Sequence, residues 1–454
     1  MASSDLFLNA LVARFGADNV RVPGDTGAET FTGWHPAAVK ARQAGQVVPR
    51  PVAVVTPANT EEVAALVRLT GEHNVAVLPV GGGSNTVGST VPNVECVTVA
   101  VSLSRLTTIS WDETALSVTA GAGVVLSDLE EMLNKHGVTL GSLPQSARIA
   151  TVGGAVATNA VGLFAAGYGD TRANTLALEA VQRGGVTVRT TAFGAATRET
   201  HHALIGTEGA YGIVTEATFA VRPLPEVRAW CAFTFPRFDD AADALRLIHR
   251  SDARPACVRL FDPAAAQARF AGQVPAGHSL LLLAVEGSEV VQTGVYQTMY
   301  AVCQQVGGTP APEIDGDAWH DAERFRTDAF AANGRPGAIA DVLSVWSPWG
   351  TLTALHQKLI VALTPDTTTL SAQIGYANAH GAALTVHFVA ETASPLDALA
   401  RHERLVKTAQ EVALSHGASV APQWGVGIAR REWADAERKA QNRFGDGGFD
   451  ALFP

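Results

Sequence analysis

The 454-residue chain predicts an α+β fold of two domains followed by a terminal tail. Three observations lead there. Short β-rich runs alternate with helical runs through the first half, and Pro223 and Pro225 then punctuate the chain. A second β/α alternation with longer elements follows. A last stretch carries Gly425-Val426-Gly427. The boundaries expected are 1–224, 225–420 and 421–454. With 47% apolar and 17% charged residues, the chain has the composition of a packed protein, not a disordered one. Lys and Arg total 33 against 43 Asp and Glu, a net charge of −10, which argues against nucleic acid as a partner, since a phosphate backbone needs a basic surface.

Each element has a local reason. Leu6 to Phe15 is a helical start, and Gly33-Trp34-His35-Pro36 a loop. Ala53-Val54-Val55 is a strand, and Pro57 with Thr60-Glu61-Glu62 opens a helix to about Glu72. Val75 to Val80 is a buried strand running into Gly81-Gly82-Gly83. Val97 to Val101, Leu106 to Trp111 and Ala115 to Thr119 read as further strands. Ser127 is expected to cap a helix with Leu129, Met132 and Leu133 on one face. Beyond the prolines, strands are expected at 230–235, 257–261, 278–285, 342–346 and 383–389, and helices at 238–251, 289–306, 351–363 and 397–415. Residues 307–340 read as irregular.

The opening Met1-Ala-Ser-Ser-Asp-Leu lacks the basic, then apolar, pattern of a secretory signal. Ile149 to Gly169 is free of charge until its Asp170 neighbour, apart from the Arg148 that precedes it, but its five glycines, Thr151, Thr158 and Asn159 make poor material for a lipid-facing helix. It reads as a packed ligand segment. The cysteines Cys96, Cys231, Cys257 and Cys303 are scattered, so neither structural zinc nor a disulfide framework is expected. The expectations are a cytoplasmic protein, no integral membrane segment and no metal.

Three glycine-rich segments carry the chemistry. The first is Pro79-Val80-Gly81-Gly82-Gly83-Ser84-Asn85, where a strand empties into glycines whose amides can converge on an anion. It lacks the dinucleotide fingerprint and the lysine of a nucleotide-triphosphate loop. Alone, it fits a tight turn as well as an anion cradle. The second comprises Pro144-Gln145-Ser146 and Thr151-Val152-Gly153-Gly154, then Thr158-Asn159-Ala160. The third is Glu208-Gly209-Ala210-Tyr211-Gly212-Ile213-Val214, a turn that becomes a strand.

In this order the segments resemble the vanillyl-alcohol oxidase flavoproteins, whose flavin domain is called the p-cresol methylhydroxylase type. The resemblance covers about 45–224 and extends more weakly to alkyldihydroxyacetonephosphate synthase and to the D-lactate dehydrogenase and glycolate oxidase flavoproteins. It implies a two-subdomain FAD-binding domain over 1–224, an α+β cap domain with an antiparallel sheet that binds substrate over 225–420, and a tail returning to the flavin domain. FAD is implied, with its pyrophosphate over Gly81 to Asn85 and its ring passing Pro144 to Ala160 and reaching Glu208, Gly209, Gly212, Ile213 and Val214. Covalent flavin attachment in this family uses a His or Cys close to the ring. Asn85-Thr86 and Trp424 offer neither, so non-covalent FAD is expected.

The chain departs from the family where its catalysts should stand. The histidines expected before the tail glycines read Pro422-Gln423-Trp424, and the strand expected to carry a tyrosine reads Thr385-Val386-His387-Phe388. The metal-binding histidines of the 2-hydroxy-acid branch have no counterpart. His387, two positions from Thr385 and on the same side of a strand, is the candidate proton acceptor, with Tyr376 as a possible phenol. Arg259 and Arg326 are candidate anchors for a carboxylate or phosphate, against ordinary pairing with Asp262 and Asp328. Thr385, Gln423 and Trp424 are expected to line the substrate pocket. His201-His202 reads as a solvated pair.

Three functions remain open on these residues. The leading one is an FAD-dependent oxidoreductase acting on a small alcohol, amine or hydroxy acid, with an electron acceptor the sequence does not reveal. The second is group transfer, lysis or cyclisation without net redox change, in the manner of the synthase. The third is a flavin-binding protein that has lost activity. A homodimer is compatible with all three.

Overall fold

The computed structural model describes residues 2–24, 33–93, 95–326, 328–420 and 425–441. Their main-chain hydrogen bonds build three principal sheets. The first holds four strands in the order Val20–Arg21, Ala53–Val55, Thr98–Ser102 and Ala76–Val80. The last three run parallel, which requires the crossover supplied by helix Thr60–Glu72. That helix begins where Asn59 accepts the Glu62 amide at 2.9 Å and Glu62 accepts the Ala58 amide at 2.8 Å. It seats Val63 and Leu66 on the strands. The second sheet is antiparallel, ordered Ile109–Asp112, Ser117–Gly121, Ile213–Ala220, Thr175–Gln182 and Val186–Thr191.

The third sheet has seven antiparallel strands, with Ser279–Gly287, Cys257–Phe261, Thr369–Ala377 and Gly381–Glu391 at its centre. Alternation divides its faces. Leu343, Val386 and Ala372 lie side by side in register and join the apolar core under helices Phe238–Arg250, Trp349–Leu363 and Pro395–Ser415. The neighbouring rows, Val342–His387–Ser371 and Ser344–Thr385–Gln373, face the other way, toward the first half of the chain, and are largely polar.

Both ends of the described chain cross between the halves. Helix Pro36–Gln43 leaves the first half and packs against Pro395–Ser415 and Ala338–Pro348. Its Lys40 is wholly buried. The ammonium donates to Gln43 Oε1 at 2.8 Å and to the carbonyls of Asn333 and Arg335 at 2.9 and 2.6 Å. Desolvation, reinforced by Arg335, lowers its pKa to about 8. At the other end, helix Gly427–Gln441 lays the Ala429 amide on the Val87 carbonyl at 3.1 Å and Trp433 on the second-half core.

Several expectations need correction. The helix expected to start at Ser127 spans Leu126–Lys135 and follows Val125 without a side-chain cap. Ser127 donates to Asp128 instead. Residues 307–340 are not all irregular: Asp315 caps helix Gly316–Glu323 by accepting the Ala318 amide. Its mostly polar sequence hides the one buried face of Trp319, His320 and Glu323. His201 is not solvated. It is buried in helix Arg198–Leu204, bonded to Thr190 and to the Thr175 carbonyl.

Candidate active site

The three glycine segments meet. Gly81 approaches Thr151 so closely that an added β-carbon would lie 2.7 Å from its Oγ1, and one on Gly209, at φ +86°, would lie 2.6 Å from Pro79. These contacts enclose one side of a cavity of about 400 Å³. Gly81 and Gly82 present exposed backbone to it. The opposite wall is the polar face of the seven-stranded sheet.

Of the positions expected to hold the cofactor, Pro79 to Asn85, Pro144 to Ser146, Thr151, Gly153, Gly154, Thr158, Ala160, Glu208, Gly209, Gly212, Ile213 and Val214 all line this cavity. Asn159 does not. It ends helix Val152–Thr158 in the left-handed region at φ 46° and holds Asp170 and the Arg172 amide at 2.9 and 2.8 Å. Gly82 is required for a different reason from the one the sequence suggests. A β-carbon there would stand 1.6 Å from the Ile149 carbonyl oxygen, so the residue permits packing of loop on loop.

On the sheet side, Arg259, Arg326, Thr385 and His387 line the cavity. Tyr376 does not. A bulge between Ile374 and Tyr376 pairs the tyrosine with Ala383, one row past Thr385, where it meets Trp346 at 6.0 Å. Gln423 and Trp424 lie outside the described residues. Arg259 does not pair with Asp262. Its Nη1 donates to Val258 O at 2.7 Å and to the Gly375 carbonyl at the bulge. Arg326 pairs with Glu323 at 2.8 Å.

The structure adds two residues the sequence gave no reason to choose, Arg269 and Glu323. Glu323 is buried and holds Arg326, the Arg269 Nε at 3.2 Å and the Gln145 amide at 3.2 Å. Gln145 also donates to the Glu323 carbonyl at 3.0 Å, joining the sheet side to the glycine side. Two guanidinium groups, those of Arg269 and Arg326, thus share one carboxylate at this end of the cavity. Beside them the Nε2 of His387 is buried without a hydrogen-bond partner. Burial, with Arg269 and Arg326 adding repulsion, lowers its pKa to about 3. The imidazole is therefore neutral at any physiological pH.

At the far side Glu208 closes the tail onto the cavity. Its Oε2 accepts the Gly427 amide at 2.8 Å, and burial raises its pKa against the opposing pull of Gly427, Val426, Ser89 and Arg430. Arg430 is itself buried, between Glu208 and Asp341. Asp341 in turn holds His402 at 2.8 Å.

The comparisons agree with this architecture. The FAD binding domain family matches residues 51–191, and the FAD linked oxidases C-terminal domain matches 224–442. The alkyldihydroxyacetonephosphate synthase of Dictyostelium discoideum is 35% identical over 50% of this chain and 38% of its own. The D-lactate dehydrogenase of Archaeoglobus fulgidus is 33% identical over 42% of this chain and 43% of its own. Each alignment therefore spans less than half of the relative. Among solved structures, an alkyldihydroxyacetonephosphate synthase superposes with a TM-score of 0.80 at 23% identity, covering 96% of this chain and 83% of that one. A p-cresol methylhydroxylase does so with 0.76 at 16%, covering 96% and 92%. The chain belongs to the FAD-linked oxidase family, with a flavin-binding fold of the p-cresol methylhydroxylase type, and its cofactor is FAD. The glycine-lined side fits that group, because Gly81 and Gly82 leave their backbone bare toward the cavity. Among the described residues no helix is long and apolar enough to cross a membrane.

Proposed function

We propose that the protein is an FAD-dependent oxidoreductase acting on a small organic acid, and that its FAD is held without a covalent bond. One observation carries the reading: Arg259, Arg269 and Arg326 line the same cavity as an unpartnered, neutral His387. FAD, when bound, supplies a two-electron acceptor. Pro79 to Asn85 and Glu208 to Val214 would hold it from the first half of the chain. The guanidinium groups anchor an anionic group of the substrate and orient the carbon to be oxidised. His387 offers a lone pair for the proton that leaves. Burial first, and repulsion from Arg269 and Arg326 second, keep it a weak base. A substrate anion paired with them relieves that repulsion and strengthens the base on binding. Thr385 and Gln373 supply hydrogen bonds from the row beside it.

Support also comes from the kinship with D-lactate dehydrogenase and glycolate oxidase, whose names give 2-hydroxy acids as substrates. The test is anaerobic mixing of the yellow holoprotein with a panel of 2-hydroxy acids, amino acids and neutral alcohols. Acids should bleach the visible bands and neutral alcohols should not. No bleaching by any acid overturns the proposal. The likeness to alkyldihydroxyacetonephosphate synthase favours a second reading, group transfer on a phosphorylated substrate. Turnover with no electron acceptor consumed would establish that one instead.

A further inference from the structure

We propose that Glu323 is a specificity-determining residue that lowers the site's affinity for substrates with two negative charges relative to those with one. This rests on the anion-binding role given above to Arg259, Arg269 and Arg326. Glu323 touches both Arg269 and Arg326, so it occupies hydrogen-bonding positions that a second anionic group on the substrate would need. It cannot turn away easily, because it is buried and its side chain and carbonyl are both held by Gln145. Arg259 is committed to two backbone carbonyls, so it adds positive potential more than open donors. The carboxylate thus offsets one of the three positive charges that line the cavity, and it repels a dianion through both of its charges but a monoanion through one. Because a second substrate charge feels that repulsion independently of the first, the effect appears in a ratio of affinities as well as in their absolute values.

The experiment titrates FAD-loaded protein with acetate and with oxalate at neutral pH and constant ionic strength, following the visible flavin spectrum and the heat of binding. In the unaltered protein both anions should bind. In Glu323→Gln the ratio of oxalate to acetate affinity should rise about tenfold, and Glu323→Asp should keep the original ratio. Arg326→Gln should move the ratio the opposite way, and it decides the matter if Glu323→Gln does not fold. Failure of both anions to bind the unaltered protein overturns the anion-site reading beneath the inference. Binding in the unaltered protein, with a ratio that neither Glu323→Gln nor Arg326→Gln moves, overturns the inference alone. An equal weakening of both anions in Glu323→Gln also overturns it, for it would mean that the carboxylate only holds the cluster together.

Discussion

Gly209 rests on the ring of Pro79, so tightly that a β-carbon would come within 2.6 Å of Cγ. Its φ of +86° is one that side chains rarely tolerate. Gly209→Val should therefore separate the first and third glycine segments. The expected outcome is loss of bound FAD and a destabilisation of about 1–3 kcal/mol. Absorbance of the gel-filtered protein and its melting temperature check both.

Glycines that touch nothing should behave in the opposite way. Gly71 lies inside helix Thr60–Glu72, without positive φ and with open space where a β-carbon would go. Gly71→Ala should stabilise the protein by about 0.5–1 kcal/mol and leave FAD content unchanged. Denaturant titration of the two proteins side by side would show it.

Lys40→Met tests the buried ammonium. Removing it strands the carbonyls of Asn333 and Arg335 and the amide oxygen of Gln43. Each buried acceptor left unmatched costs about 1–3 kcal/mol, so a fall in the denaturation midpoint is expected, together with faster proteolysis near residue 335. An unchanged midpoint would show that the clamp adds nothing.

Acid stability should depend on buried histidines. His387 has its pKa lowered to about 3, and His249 and His320 to about 4 each, by burial first and by neighbouring arginines second. The unfolded chain takes up these protons near pH 6.5. Stability is thus complete above that value and declines as the pH falls toward 4, because only the unfolded state gains protons there. His387→Gln should make the decline shallower, measurable as unfolding free energy against pH, and should also slow any acid-dependent bleaching of the flavin.

The glycine segments were legible in the sequence because glycine records a backbone constraint directly: Gly81, Gly82 and Gly209 sit where nothing larger fits. Strand Cys257–Phe261 was legible from its own composition. Tyr376 was misplaced because the strand that carries it was not read, and in that strand it pairs with Ala383, past the cavity-lining Gln373 and Gly375. Glu323 and Arg269 stayed hidden because each lies on a short helix of ordinary polarity. Only the packing of those helices against the same sheet brings them together. Strand Thr369–Ala377 escaped notice for a related reason, since its cavity-facing positions Ser371 and Gln373 replace the apolar residues that usually betray a strand.

Lys40 ties the beginning of the chain to the later half, and Glu208 grips the amide of Gly427 near its other end. Strapped twice in this manner, the halves lack the independence that ordinary two-domain proteins show on heating. Calorimetry should accordingly record a single endotherm rather than two, and access to the interior must come from displacement of a loop rather than from a wide swing of one half away from the other.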